Sequence, residues 1–240
     1  MNLELFIARR IAHNGSGNRP GVMVRIAVVA VALSVTVMIL ALAVIMGFKR
    51  EITDRVTGFS AQVEVADLRS AGSIESVPVL RSEQLERTIR SAGEVVRLTP
   101  YAVKGGVVKM PDAILGVMLK GVDGGYEWSF FRDHLLEGEL PRVGDSIRTK
   151  EILISRSVAQ EMGLAPGDKV EMLFVESEKS PRRDRFKVSG IYATGMDEFD
   201  RSVAMTDLRN VQRLADWSSD EVSGYEVTLA DFSQAEDFSR

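Results

Sequence analysis

Residues 26–48 read IAVVAVALSVTVMILALAVIMGF and contain no charged side chain. A helix of this length extends roughly 35 Å, at about 1.5 Å per residue, which is enough to cross a hydrocarbon core of about 30 Å. A buried helix of a soluble core is usually shorter. A cleaved signal peptide is the sharper alternative, but the apolar run continues past the small-residue pattern Ala41-Leu42-Ala43, and a long segment precedes it. The stretch therefore predicts an uncleaved membrane span.

The charges on the two sides of this span differ. Before it lie Arg9, Arg10, Arg19 and Arg25 against the single acid Glu4, whereas basic and acidic residues alternate after it. The positive-inside rule therefore predicts a cytoplasmic N-terminus. Beyond residue 48 the chain carries 26 basic and 33 acidic side chains, so this larger part is acidic. Such a balance argues against a nucleic-acid partner, which needs a basic face. The chain has no cysteine, so its outer part must be stabilised by packing.

Small side chains recur along one side of the span. They repeat at intervals of seven and three residues, and they comprise Ala27, Ala30, Ser34 and Ala41. Small residues allow transmembrane helices to approach closely, so this face is a candidate for packing against another span. Alanine is common in all spans, and the alternative is that the face contacts only lipid.

Apolar residues also follow helical spacing on both sides of the span. Leu3, Phe6, Ile7 and Ile11 could form a short amphipathic helix on the inner leaflet, with a disordered tail as the alternative. After the span, Phe48, Ile52, Val56 and Phe59 continue an apolar stripe between charged residues. The pattern predicts that the helix extends beyond the membrane as a stalk to about Gly58.

Past the stalk, short strand patterns and short helix patterns alternate, which predicts an α+β domain. We expect strands at 62–65, 95–98, 102–109, 114–120, 151–154, 169–175, 184–192, 202–205 and 224–229. We expect helices at 82–92, 126–135, 157–162, 207–214 and from 232 onward. The strands 169–175 and 184–192 should pair, because Val170, Met172 and Phe174 alternate as Phe186 and Val188 do.

Residues that could carry chemistry are few. The sequence lacks the phosphate loop G-x-x-x-x-G-K-[ST], so we expect no ATP hydrolysis by this chain. His13 and His134 lie on opposite sides of the predicted span and cannot share a metal site. Asp197, Glu198 and Asp200 suggest a cation site, but they lack the spacing of a calcium loop, and a solvated loop is the favoured interpretation. We therefore expect no catalytic residue, metal or cofactor.

Four segments resemble one family of membrane proteins. They are residues 6–10 (FIARR), 47–52 (GFKREI), 164–170 (LAPGDKV) and 186–200 (FKVSGIYATGMDEFD). These segments are similar to the lipoprotein-releasing permeases of the LolC and LolE type, within the wider MacB/FtsX-like group of ABC transporter permeases. The similarity covers essentially the whole chain. Members have four transmembrane helices, three of them after the outer domain, and this chain ends before those three, which suggests a fragment of a permease.

The resemblance implies a division of the chain and a set of partners. The expected parts are a cytoplasmic tail at 1–21, a transmembrane helix at 22–48, a stalk at 49–60 and a MacB-like periplasmic core domain at 61–240. The expected location is the bacterial inner membrane. The expected partners are a cytoplasmic ABC ATPase, a second permease subunit, a lipoprotein cargo and a periplasmic chaperone. The resemblance implies that the permease has no catalysis of its own and transmits ATP-driven motion to the outer domain.

Two candidate sites follow from this resemblance. The outer end of the span would help to line a cavity for lipoprotein acyl chains through Leu42, Ile45, Met46, Phe48 and Ile52, with bulk lipid contact as the alternative. The charged loop at 176–183 would contact the chaperone through Lys179, Pro181, Arg182 and Arg183, with a solvated turn as the alternative. Two other functions stay open. One is a MacB-like or FtsX-like permease for efflux or for regulation of cell-wall hydrolases, and the other is a single-span adaptor.

Overall fold

The computed structural model describes residues 3, 6–7, 22–59, 61–70, 76–92, 95–110, 113–144, 147–175 and 181–230. The chain divides into two compact units, Met1–Asp54 and Arg55–Arg240. The predicted C-terminal helix from residue 232 lies outside the described residues, as does Ile11 of the predicted tail helix. Leu3, Phe6 and Ile7 are helical and exposed.

The longest element is helix α1, Val22–Phe59, with 38 residues. Its segment Val24–Lys49 is long and apolar enough to cross a membrane, and none of it is buried. The helix continues without interruption beyond the apolar run, and it ends one residue after the predicted Gly58. The sequence prediction of a helical extension beyond the span is therefore confirmed.

The second unit consists of short strands and short helices. Its strands are β1 Val63–Ala66, β2 Val79–Leu80, β3 Val95–Lys109, β4 Ile114–Val122, β5 Leu135–Gly138, β6 Glu151–Ser155, β7 Lys169–Phe174, β8 Arg182–Tyr192, β9 Val203–Asp207, β10 Glu221–Val222 and β11 Gly224–Leu229. Its helices are α2 Glu83–Ser91, α3 Ser129–Asp133, α4 Arg156–Met162, α5 Asp197–Asp200 and α6 Leu208–Ala215, with a short 3₁₀ turn at Leu68–Ser70.

The main sheet has the strand order β1, β11, β3, β4, β9, β6, β8 and β5, while β2 and β10 form a separate pair. Strand β7 pairs with both β3 and β8, so the pairings close a ring of six strands: β3, β4, β9, β6, β8 and β7. Closure leaves these strands without free edges. Strands β1 and β5 therefore form the two outer edges of the sheet.

Two apolar clusters stabilise the second unit. The larger cluster is built from strand residues such as Leu119, Ile152, Met172 and Phe186, against which Val211 of α6 packs. The smaller cluster comprises Val122, Phe131, Leu153, Tyr192 and Met205, and several aromatic rings partly cover it.

Local signals explain the helices that the sequence predicted. Ser82 precedes α2, and its side chain accepts a hydrogen bond from the Leu85 N–H at 3.1 Å. Ser155 caps α4 in the same way through the Val158 N–H. Helix α4 ends at Gly163, which has a φ of 64° that favours glycine. The predicted pairing of β7 with β8 is also confirmed.

Two sequence predictions were wrong. Segments 95–98 and 102–109 are one continuous strand, β3, and not two. Pairing with β4 begins only at Tyr101, so the missing N–H of Pro100 lies at the end of that ladder, where the strand tolerates it. The predicted helix 126–135 is reduced to α3, because Leu135 pairs with Tyr192 at the start of β5.

Candidate functional site

The candidate cargo residues near the C-terminal end of the apolar part of α1 are exposed. Leu42, Ile45, Met46 and Phe48 are each between 49% and 66% exposed. Ile52 lies on the same helix, but its side chain lies outside the described residues. Exposed apolar side chains on a span-length helix are suited to contact with lipid, with an acyl chain or with another helix.

Helical periodicity separates these residues into two groups. At about 100° per residue, one arc of about 60° contains seven of the nine candidate residues, which are Ala27, Ala30, Ser34, Ala41, Ile45, Phe48 and Ile52. The candidate packing face therefore continues into three of the candidate cargo residues, Ile45, Phe48 and Ile52. Leu42 lies about 60° outside the edge of this arc, and Met46 lies about 100° outside it. A helix packed along the arc would leave Leu42 and Met46 outside the contact.

The β7–β8 hairpin differs from its expected form. Arg182 and Arg183 are not loop residues, because β8 begins at Arg182 and pairs with the end of β7. The β7 residues Leu173 and Phe174 oppose them and extend the ladder towards the turn. Pro181 is exposed and precedes the strand. Lys179 lies outside the described residues.

Both arginines take part in ion pairs within the domain. Arg182 Nη2 lies 2.5 Å from Asp216 Oδ2, and Arg183 Nη1 lies 3.7 Å from Glu171 Oε1. The side chain of Arg182 is 42% exposed and that of Arg183 is 72% exposed. Arg183 is therefore the more accessible of the two for an external partner.

A buried carboxylate lies close to this hairpin. Asp184 is buried and binds Lys150 Nζ at 2.5 Å and the Arg213 guanidinium. Burial and then the charges of Arg213 and Arg148 lower the pKa of Lys150. Asp184 thus joins β8 to α6 and to the segment before β6.

The loop in the motif at residues 194–200 is held by Asp200. This carboxylate is buried and accepts hydrogen bonds from the Thr194 N–H, the Thr194 hydroxyl at 2.8 Å and the Gly195 N–H at 3.1 Å. The expectation of a solvated loop was wrong for Asp200, although Asp197 is exposed. Asp200 is a structural residue, because satisfying two backbone donors fixes the turn before α5.

His134 is a local structural residue too. Its Nδ1 lies 2.8 Å from the Phe130 carbonyl oxygen, and its ring lies 4.4 Å from the Phe130 ring. His13 lies outside the described residues. Across the part of the chain that the structure describes, no group of three His, Asp or Glu side chains could hold a metal ion.

A second charged group occupies the edge of the sheet, on β1, β3, β4 and β11. We call it the β1 cluster, and it consists of Glu64, Tyr101, Lys120 and Glu226. Lys120 Nζ lies 2.5 Å from Glu226 Oε1, and both residues are buried. The Tyr101 hydroxyl donates a hydrogen bond to Glu64 Oε1. Burial and then the negative charge of Glu226 raise the pKa of Glu64, while Lys120 lowers it.

Comparison with known proteins identifies the family to which this chain belongs. The family described as MacB-like periplasmic core domain matches residues 26–240. The chain belongs to this family. The match includes both the apolar part of α1 and the whole described part of the MacB-like domain.

Relatives of known name are similar over most of the chain. A LolC transmembrane protein of the lipoprotein-releasing system from Xylella fastidiosa is 27% identical over 210 residues, which cover 83% of this chain and 47% of that protein. A Neisseria meningitidis LolC is 26% identical over 79% of this chain and 45% of that protein. A Haemophilus influenzae LolE is 22% identical over 96% of this chain and 56% of that protein. The chain thus spans about half the length of these relatives.

Solved structures also match at low identity. The periplasmic region of MacB from Actinobacillus actinomycetemcomitans has a TM-score of 0.46 and 15% identity, and covers 70% of this chain and 72% of that chain. The extracellular domain of the ABC-type transporter YknZ from Gram-positive bacteria has a TM-score of 0.45 and 14% identity, with 73% and 85% covered.

The β1 cluster of this MacB-like domain is the feature that sequence reasoning missed. Its members are separated by up to 162 positions along the chain, and each of them alone reads as an ordinary strand residue. The signal that could have revealed it is the placement of Glu64 and Glu226 at the middle of two apolar strands. Glu226 is buried, and a buried charge needs a partner from a neighbouring strand, whereas Glu64 is exposed on β1.

Proposed function

We propose that this chain forms the first membrane span and the periplasmic core domain of a permease subunit in an ABC transporter that extracts lipoproteins from the bacterial inner membrane. The observation that carries this proposal is the similarity to LolC and LolE proteins over 79% to 96% of the chain. The exposed apolar helix α1 supports a membrane position. The flanking arginines support a cytoplasmic N-terminus and a periplasmic domain.

In this proposal the chain has a mechanical and not a chemical role. ATP hydrolysis occurs on a separate cytoplasmic ATPase, and a second permease subunit packs against the face of Ala27, Ala30, Ser34 and Ala41. The helix continues past the apolar run to Phe59, and three residues separate it from β1. A continuous helix can carry a displacement at the membrane into the periplasmic domain.

The proposed cargo contact lies at the outer end of α1. Leu42, Ile45, Met46, Phe48 and Ile52 would accept acyl chains of a lipoprotein. Because the arc includes Ile45, Phe48 and Ile52, these three would face the interior of the permease when Ala41 packs against the partner helix. Leu42 and Met46 would then lie at the opening towards lipid.

Site-specific photo-crosslinking tests the function. A photoreactive residue at Ile45, Met46 or Phe48 of the assembled transporter should capture a lipoprotein, and addition of ATP should reduce the adduct as cargo is released. Ala43 lies on the opposite side of the helix and is the matched control position. Equal capture at all positions, or capture of lipid alone, would contradict the proposed cargo.

A periplasmic chaperone is the proposed partner of the β7–β8 hairpin. Lys179, Pro181 and Arg183 would contact it, whereas Arg182 is committed to Asp216 and would support the strand. Replacing Lys179 and Arg183 with Glu should weaken chaperone binding in a pull-down with purified chaperone. Unchanged binding, with an intact thermal transition, would indicate that the hairpin only faces water.

A further inference from the structure

The strands on which the second unit begins and ends lie side by side. Strand β1 is the first strand after α1, and it pairs antiparallel with β11, the last described strand. Gln62 Oε1 accepts a hydrogen bond from the Leu229 N–H at 2.6 Å, which joins the start of one strand to the end of the other. Strand β1 is therefore the first strand through which the chain after α1 joins the sheet.

Strand β1 is attached on both of its faces. Val63 and Val65 pack against the larger apolar cluster. The alternation of a strand places Glu64 on the opposite face, where it meets the side chains of the β1 cluster. Four residue pairs with β11 complete the attachment.

Tyr101 reaches β1 from the third strand of the sheet. Tyr101 on β3 lies opposite Gly224 on β11, which lies opposite Ala66 on β1. Its hydroxyl crosses β11 to donate to Glu64. A Cβ at position 224 would come within 3.1 Å of the Tyr101 hydroxyl oxygen, so the glycine keeps the path clear.

Lys120 holds the central part of the β1 cluster. Glu64 lies directly opposite Glu226, and two carboxylates in this position repel each other. Lys120 binds Glu226 and lies 5.8 Å from the centre of the Tyr101 ring and 5.7 Å from that of Tyr126. The cation therefore neutralises Glu226 and also attracts Glu64, which accepts a hydrogen bond from Tyr101.

We propose that the β1 cluster clamps the first strand of the domain to β3 and β4, so that β1 and the sheet move as one body when α1 is displaced. Glu64 and Tyr101 are then positioning residues for transport. This inference rests on the proposed function for its role in transport. The attachment itself does not depend on that function.

Hydrogen exchange of the full chain tests the attachment. Tyr101→Phe removes the hydroxyl but keeps the ring beside Lys120, and it should accelerate exchange of the β1 amides about fivefold, as expected for the loss of one hydrogen bond. Exchange in β6 and β8 should stay unchanged. Tyr225→Phe is the matched control, because it removes a Tyr–Glu hydrogen bond of 3.2 Å to Glu86 on α2 and not on β1. Equal exchange of β1 in the two variants, or acceleration across the whole domain in Tyr101→Phe, would overturn the clamp.

An engineered disulfide tests the role in transport. Val63 and Val227 are directly opposed, and the chain has no cysteine, so Val63→Cys with Val227→Cys creates a single defined bond. In the assembled transporter, Tyr101→Phe should reduce lipoprotein release per ATP hydrolysed, and the oxidised cysteine pair should restore it. Loss of attachment without loss of release would overturn the coupling role. Absence of release by the unmodified transporter would instead contradict the proposed function, and the exchange result would still decide the clamp.

Discussion

Glu64 on β1 and Glu226 on β11 are opposite partners in adjacent antiparallel strands. Lys120 binds Glu226, whereas Glu64 is held by the Tyr101 hydroxyl. The edge strand that receives the chain after α1 therefore carries a repulsive carboxylate pair. The strand should therefore gain stability when the charge of Glu64 is removed, because Glu226 is needed by Lys120.

Glu64→Gln should increase the free energy of unfolding at pH 7.5 by about 0.5 kcal/mol, because it removes one of two opposed charges and keeps an acceptor for Tyr101. The raised pKa of Glu64 means that the folded state binds the proton more tightly. The contribution of Glu64 to the stability of the wild-type protein is therefore complete at pH values below its pKa in the unfolded chain, near 4.5. This contribution is lost as the pH rises through the higher pKa of Glu64 in the folded protein. The advantage of the variant should shrink as pH falls towards 4.5.

Urea unfolding of the two proteins at pH 7.5, 6 and 5 measures this difference. Glu161→Gln, on an exposed position of α4, is the control and should show no such trend. If the unfolding free energies of the wild type and of Glu64→Gln differed by the same amount at all pH values, the charge of Glu64 would not affect the stability of the folded state.

Lys120→Met should lower the free energy of unfolding by about 3 kcal/mol, because it leaves Glu226 buried without its cation and beside Glu64. Adding Glu226→Leu removes the uncompensated buried charge, so the double variant should regain much of the lost unfolding free energy. A double-mutant cycle by urea unfolding gives the coupling energy. Additive effects of the two substitutions would show that the pair does not interact in solution.

The local elements of the outer domain follow from nearby residues, which is why the sequence predicted most of them. Ser82 and Ser155 cap helices, Gly163 ends one, and alternation along β7 and β8 specifies their pairing. The closed ring does not follow from local pattern. It depends on pairs such as Val107 with Leu173, which are far apart in the chain.

The candidate sites also fall into features that follow from local sequence and features that depend on the tertiary structure. The apolar run of α1 identifies the span without any tertiary information, but one helix cannot indicate which face meets a partner. The sequence also assigned Arg182 and Arg183 to a loop, because a cluster of charges is typical of a turn, whereas pairing with Phe174 and Leu173 extends β8 through both. The β1 cluster required the fold, because its members come from four strands spread along the chain. The partners of Asp200 are Thr194 and Gly195, which are close to it in sequence.

Gly138→Ala should destabilise the domain by more than about 2 kcal/mol, whereas Gly163→Ala should cost about 1 kcal/mol. Both glycines have positive φ, 76° and 64°, so they share the backbone cost. A Cβ at Gly138 would collide with the Ser189 carbonyl oxygen, whereas one at Gly163 would meet nothing within 4 Å. Thermal unfolding of the two variants separates the cost of the steric clash of the added Cβ from the cost of the positive φ. Equal losses would show that β5 can move away from β8.

Ala41→Leu should reduce recovery of the second permease subunit with this chain from detergent extracts, because a larger side chain on the arc of small residues keeps the helices apart. Ala43→Leu makes the same chemical change on the opposite side of α1 and should leave recovery unchanged. Both alanines are exposed on the helix, so neither substitution should alter the folding of the outer domain. Co-purification with a tagged partner subunit measures the effect, and circular dichroism checks the fold. If Ala43→Leu proved the more damaging of the two, the packing face would have to be reassigned to the opposite side of the helix.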